Sequence, residues 1–219
     1  MVKSVKSVKS ENKSNKTQNK SNKSNKPICP VLIPTWDGSA DISTIVVIDN
    51  VIKALGREPV FMSSMGYKGI SLTRTWLFEN TKKMFEKNKI DTKNIRGFLL
   101  DSGIYLDSQY GQRLFNHIID ADAENKNFVI PYNFPSGDTS ILKEDKDKYL
   151  KQIKQGEELP NYTKAAGLGF YYGRIPVDYV FHNDMNAGED VYFFLDNFKE
   201  NEVRVIKDIK LLHKKMGFF

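Results

Sequence analysis

The chain is poor in cysteine and contains no long hydrophobic run. A single cysteine, Cys29, excludes an internal disulfide and a zinc site built from paired cysteines. No stretch approaches the roughly 18 consecutive apolar residues of a membrane span. The first apolar residues, Val2 and Val5, are separated by lysine and serine, so no secretory signal is predicted and a cytoplasmic location is expected.

The net charge of +6 is concentrated at the N-terminus. Residues 1–26 contain eight lysines and one acid, Glu11, which gives +7 and leaves −1 for the rest of the chain. This segment is almost wholly Lys, Ser, Asn and Val, which predicts a disordered tail at 1–27 and one domain at 28–219. The tail has no arginine or aromatic residue, which favours a solubilising extension over an arm for nucleic acid or anionic membrane.

The tail should be dispensable for folding because it has almost no apolar surface to bury. Deletion of residues 1–26 should leave the melting temperature almost unchanged in a thermal melt. A fall of more than about 4 °C, on the order of 1 kcal/mol for a domain of this size, would show that the tail packs against the body.

Short apolar runs alternate with segments of helical periodicity along the body. Strands are predicted at Ile28–Thr35, Pro59–Met62, Ile95–Leu100, Phe128–Ile130 and Val203–Ile206. Helices are predicted at 41–55, Ser71–Lys87, 110–121 and Glu189–Phe198. The alternation predicts a single-domain α/β fold of Rossmann-like type, with a mixed, mostly parallel sheet and helices on both faces.

The segment 133–165 is polar and long, with several glycines, prolines and charges. Two interpretations stay open, a surface excursion and a mobile flap over a site, and a charged helix near 143–154 is compatible with both.

Ligands of parallel sheets bind beyond the carboxyl ends of the strands. Three groups of residues stand where predicted strands stop: Thr35–Asp37, Ser63–Ser64 and Asp101–Gly103. Trp36 in the first group has the shape to stack on a planar base, or it packs at the sheet edge. Asp101 could bind a ribose hydroxyl or a cation, or it only closes an Asp-Ser-Gly turn.

Two predicted helices begin with residues that could take part in ligand binding or catalysis. Ser71 is expected to cap the second helix, which would place Arg74 in its first turn as a phosphate site, although capped helices with an arginine are common. Glu189 and Asp190 open the last helix. The helix dipole alone favours acids there, but a carboxylate at this position also suits a general base that deprotonates a hydroxyl.

The order and spacing of these motifs resemble the GT-A glycosyltransferase family. The motifs are PTWD at 34–37, SLTR at 71–74, DSG at 101–103 and GED at 188–190, with the aromatic GLGFYYG at 167–173 before the last. The resemblance extends from Ile28 to about Phe198. The size and the lysine- and asparagine-rich composition are similar to those of small members found in viruses of archaea, for which the location would be the host cytoplasm.

The resemblance implies a role for each matched residue. The residues expected to bind a nucleotide sugar are Pro34, Thr35, Trp36, Ser63, Arg74, Asp101 and Ser102. Pro34 and Trp36 would hold the base, and Arg74 would face the pyrophosphate. Asp101 would bind ribose or metal. Asp190, beside Glu189, would be the base of an inverting transfer.

A glycosyltransferase with a nucleoside-diphosphate sugar as donor and a hydroxyl of a glycan or protein as acceptor is therefore expected. Gly103 stands where the family usually supplies its main metal ligand, so a divalent cation, Mn or Mg, should be held weakly without nucleotide. Two alternatives stay open. A nucleotidyltransferase is disfavoured because no glycine-rich phosphate loop follows the first strand, and a nucleic-acid-binding protein would act through the tail.

Overall fold

A computed structural model describes residues 26–35, 40–65, 69–133, 169–182 and 189–213. The tail to residue 25, Trp36 and most of the predicted flap at 133–165 lie outside these ranges, so the predictions about them stay predictions.

The secondary structure follows the predicted alternation. The strands are β1 (Ile28–Thr35), β2 (Glu58–Met65), β3 (Arg96–Leu100), β4 (Ile104–Leu106), β5 (Asn127–Val129), β6 (Tyr132–Asn133), β7 (Phe170–Arg174), β8 (Val203–Val205) and β9 (Leu211–His213). The α-helices of the described ranges are α1 (Ile42–Ala54), α2 (Ile70–Lys87), α3 (Gly111–Ala123) and α4 (Glu189–Asn197). Within the described ranges, no helix is long and apolar enough to cross a membrane.

The main sheet has six strands in the order β2-β1-β3-β7-β5-β8. β1 pairs in parallel with β2 and β3, and β5 pairs in parallel with β8. β7 runs antiparallel to both β3 and β5. The predicted α/β fold with a mixed, mostly parallel sheet is thereby confirmed.

Helices cover both faces of this sheet because the strands alternate their side chains. Val31, Phe98 and Tyr172 belong to a core with the buried faces of α1 and α3. Leu32 and Leu99 point to the opposite face, where they share a second core with α2 and α4. The two faces therefore have separate cores, each closed by a pair of helices.

A second, three-stranded sheet with the order β4-β9-β6 was not predicted. Its strands have two or three residues each, too short for alternation of apolar and polar residues to be visible. β4 follows directly on the turn at Asp101–Gly103, and Thr44 of α1 exchanges hydrogen bonds with the Ile104 carbonyl and the Leu106 N–H. The small sheet therefore fixes the segment that follows β3.

The prediction that Ser71 caps α2 was wrong. The helix begins at Ile70, and the cap position belongs to Gly69, whose φ of 93° lies in the region that favours glycine. Ser71 is the second helical residue and is buried. Its side chain therefore packs inside the protein, and the cap residue Gly69 makes no side-chain hydrogen bond to the helix.

The contact between β1 and β3 requires a glycine at position 97. A Cβ atom there would lie 2.3 Å from the Pro30 carbonyl oxygen and 2.7 Å from its Cγ. Gly97→Ala should therefore lower the free energy of unfolding by about 1–3 kcal/mol, because overpacking against backbone cannot relax easily. Denaturant melts should show this loss. Gly111→Ala is the matched control, since its Cβ would meet only Val47 at 3.9 Å, and an equal loss in both variants would contradict the prediction.

Candidate active site

The predicted strand ends lie at one edge of the main sheet. Pro34 pairs in register with Ser64, one residue after Ser63, and the buried Thr35 hydroxyl donates to the Ser64 carbonyl at 3.3 Å. β3 runs parallel to β1, so its carboxyl end, followed at once by Asp101, points to the same edge. The parallel pairing thus gathers residues from three separate segments.

The turn after β3 is braced from two sides. The Asp101 N–H donates to the Gly169 carbonyl at 3.0 Å, next to the start of β7. The Asp41 N–H, before α1, donates to the Ser102 carbonyl at 3.3 Å. The position of Asp101 is therefore determined by backbone contacts as well as by the end of its strand.

An arginine links this turn to the acid pair that opens α4. Arg74 Nη1 lies 2.5 Å from Glu189 Oε1, and Arg74 Nη2 lies 3.1 Å from Asp101 Oδ1. The Arg74 side chain is only 4% exposed, against 9% for Glu189 and 24% for Asp101. α2, α4 and the end of β3 thus meet at one buried ion cluster.

The arginine stays charged in spite of its burial. Burial disfavours the cation, but the negative charges of Glu189, then Asp101 and Asp190, outweigh this effect and raise the pKa of Arg74. Its guanidinium carbon also lies 5.9 Å from the centre of the Phe181 ring. The cluster is therefore a permanent cation surrounded by acids.

Asp190 is the acid of the pair that keeps partial contact with solvent. Burial, the largest cause, and the charge of Glu189 raise its pKa from 3.8 to about 6. Arg74 and the Val191 N–H, which donates to Asp190 Oδ1 at 2.9 Å, act in the opposite direction. At pH 7 such a carboxylate is about nine-tenths ionised, which suits a base that must accept a proton.

The described residues contain no cluster of acidic, histidine or cysteine side chains that would form a cation site by itself. Over the ranges given above, no group of three or more His, Cys, Asp or Glu side chains could hold a metal ion. Asp101 offers one carboxylate, of which Oδ1 already accepts from Arg74, and Gly103 offers no side chain. The backbone of His213 pairs with Ile104, but its side chain lies outside the description.

The contact between Arg74 and Glu189 was missed by sequence reasoning, which placed Arg74 against a pyrophosphate. One signal was available. Arg74 lies three and four residues before Leu77 and Phe78, which are buried in the core, so it belongs to the apolar face of α2. A buried arginine needs acidic partners, but the sequence does not say which acids supply them.

Comparisons with known proteins add little to this picture. No protein-family model matches the chain, and no significantly similar curated protein was found. One similar solved structure is described as the crystal structure of a glycosyltransferase involved in the glycosylation of the major capsid of PBCV-1. It shares 10% identity with a TM-score of 0.43, over 85% of this chain and 94% of that one. A likeness at this level carries no inference about family or activity.

Proposed function

We propose that this protein is a GT-A-type glycosyltransferase, which moves a sugar from a nucleoside diphosphate to a hydroxyl group of a glycan or a protein. The observation that carries the proposal is the ion cluster at the carboxyl edge of the sheet. It joins Asp101, at a strand end where ligands of such sheets bind, to an acid pair of which Asp190 is only partly buried.

Asp190 is the general base of the proposed reaction. It accepts the proton of the acceptor hydroxyl while that oxygen attacks the anomeric carbon of the sugar. The bond from the anomeric carbon to the diphosphate oxygen breaks, the diphosphate leaves with the electron pair, and the configuration inverts. A pKa of about 6 leaves Asp190 ionised at neutral pH and still basic enough to accept the proton. Glu189 does not suit this step, because Arg74 binds its carboxylate in a buried position.

The donor is proposed to lie along the carboxyl edge. The PTWD loop after β1 would hold the base, with Pro34, Thr35 and Trp36 on one side and Ser63 on the next strand. Asp101 and Ser102 would face the ribose or the phosphates. A divalent cation, manganese or magnesium, would arrive with the diphosphate, because the described residues do not complete a site for it.

A thermal-shift panel tests the proposal. Nucleoside diphosphates and their sugars, with and without manganese, should raise the melting temperature, since a ligand at 100 times its Kd stabilises by about 2.7 kcal/mol. Adenosine, guanosine, cytidine and uridine diphosphates should be compared with the free nucleosides. No shift from any diphosphate, together with salt-sensitive DNA binding that disappears when the tail is removed, would favour a nucleic-acid-binding protein.

A further inference from the structure

We propose that Arg74 is a positioning residue, which holds Glu189 and thereby sets the place of Asp190 at the carboxyl edge, a role that rests on the proposed function. This positioning role of Arg74 differs from the contact with a pyrophosphate that the sequence predicted. The geometry that carries it is the buried bridge from Asp101 through Arg74 to the first residue of α4.

The guanidinium already binds two acids of the protein and is buried. Nη1 and Nη2 each bind a carboxylate oxygen, and the side chain has almost no contact with solvent. The other three N–H groups of the guanidinium are buried with the side chain, so a diphosphate could reach them only if neighbouring residues moved aside. The one cation and two carboxylates also leave a net charge of −1 before Asp190 is counted, and this charge repels a phosphate. Arg74 is therefore poorly placed to bind a diphosphate.

The bond between Arg74 and Glu189 also orients Asp190, the proposed base. Glu189 and Asp190 are successive residues in the first turn of α4, so their side chains leave the helix about 100° apart. Fixing the Glu189 carboxylate against α2 therefore fixes the direction in which Asp190 projects. Farther along α4, Phe193 stacks on Phe181 at 5.4 Å and meets Phe78 of α2 at 6.0 Å. These contacts hold the helix body, and the Arg74 bond is the polar contact at its first residue.

Donor hydrolysis and nucleotide affinity separate the two roles of Arg74 without knowledge of the acceptor. The variants are Arg74→Lys, Arg74→Met and the double variant of Arg74→Met with Glu189→Gln. In the double variant the buried Glu189 side chain no longer carries a charge that needs Arg74 as its partner. For each, kcat and KM are measured from diphosphate release by a nucleotide sugar with manganese present, and calorimetry gives the Kd of the matching nucleoside diphosphate. The donor is the one with the largest thermal shift for the parent.

A positioning role predicts a split between the two measurements. In all three variants kcat should fall about 10–100-fold, since a misplaced catalytic group costs on the order of 10²-fold, while KM and Kd stay within about threefold. The double variant should be no slower than Arg74→Met, because Arg74→Met has already broken the bond to Glu189 that Glu189→Gln would weaken. Arg57→Met is the matched control, since Arg57 pairs with Asp122 at 2.5 Å at the opposite end of the sheet. It should lose stability and keep its kcat.

Other outcomes overturn the proposal in distinct ways. A Kd raised tenfold or more, with kcat retained, would make Arg74 a phosphate ligand. Unchanged kcat in folded Arg74→Lys and in the double variant would show that the bond does not orient the base. A parent that neither binds a nucleoside diphosphate nor hydrolyses any donor would remove the proposed function, and the role of Arg74 with it.

Discussion

Replacing Asp190 by asparagine should abolish sugar transfer and leave the binding of nucleoside diphosphate nearly intact. Loss of a general base costs about 10²–10⁴ in rate. Asparagine has the same shape and keeps an oxygen for the Val191 N–H, so the start of α4 should not move. Steady-state kinetics gives kcat, and calorimetry with the diphosphate gives the affinity. In the parent, kcat/KM, which reports the pKa values of the free enzyme, should fall on the acid side with an apparent pKa near 6, as Asp190 takes up a proton.

Two further variants decide which acid acts as the base. Asp196→Asn is the control on the same helix. Asp196 is exposed and contacts His182 and Tyr179, so this variant should keep full activity. Normal turnover by Asp190→Asn with loss in Glu189→Gln would give the role to Glu189. If both variants were active, the inverting mechanism would have to be abandoned.

The same Asp190→Asn change should stabilise the protein at neutral pH. The pKa of Asp190 in the folded state is above its ordinary value, so ionisation of this group opposes folding. The penalty is absent below about pH 4, grows as the pH rises to about 6 and is complete at pH 7. Because the Asp190 residue is only partly buried, we expect a gain of about 1–2 kcal/mol at pH 7, less than the full shift would give. Melts at pH 4 and pH 7 should show a gain only at pH 7.

Lower activity together with higher stability would distinguish a functional acid from a structural one. If the Asp190 carboxylate only capped α4, neutralising it would lower the stability of the protein, since the helix dipole favours a negative charge there. A loss of stability in Asp190→Asn at pH 7 would therefore contradict the raised pKa of Asp190 in the proposed site, whatever the effect on rate.

The main sheet could be predicted because its signals are local. β1 has the predicted bounds, Ile28–Thr35, and α2 ends at the predicted Lys87. These segments are long enough for composition and periodicity to identify them. β4, β6 and β9 consist of two or three residues, whose pairing depends on partners far along the chain. No local pattern could have indicated them.

The candidate site, like the fold, could be predicted from the sequence only in part. That the ends of β1 and β3 share an edge follows from parallel pairing alone, which the alternation of elements predicts. The bond of Arg74 to Glu189 joins residues 115 positions apart, and only the packing of α4 beside α2 brings them together. The cap at Gly69 was also unpredictable, because either Gly69 or Ser71 suits a helix start.

A substitution at Asp101 should separate nucleotide binding from turn closure. Asp101→Ala should weaken the binding of a nucleoside diphosphate with manganese by about 10–100-fold, the loss expected for a hydrogen bond to a charged group. The fold should survive, since Arg74 keeps Glu189 as a partner. Asp91→Ala is the control, because Asp91 accepts from the Lys93 N–H in an exposed turn and should not affect affinity.

Titration with metal alone tests the prediction that the protein binds a divalent cation weakly when no nucleotide is present. Mn²⁺ and Mg²⁺ take several oxygen ligands, whereas the described residues offer Asp101 with one oxygen already bonded to Arg74. The bare parent should therefore bind manganese weakly, and addition of nucleoside diphosphate should strengthen the binding, since its phosphate oxygens complete the shell. Tight binding of manganese to the bare parent would require ligands outside the described residues. Unchanged diphosphate affinity in a well-folded Asp101→Ala would show that Asp101 only closes a turn, and would remove the donor site from this edge of the sheet.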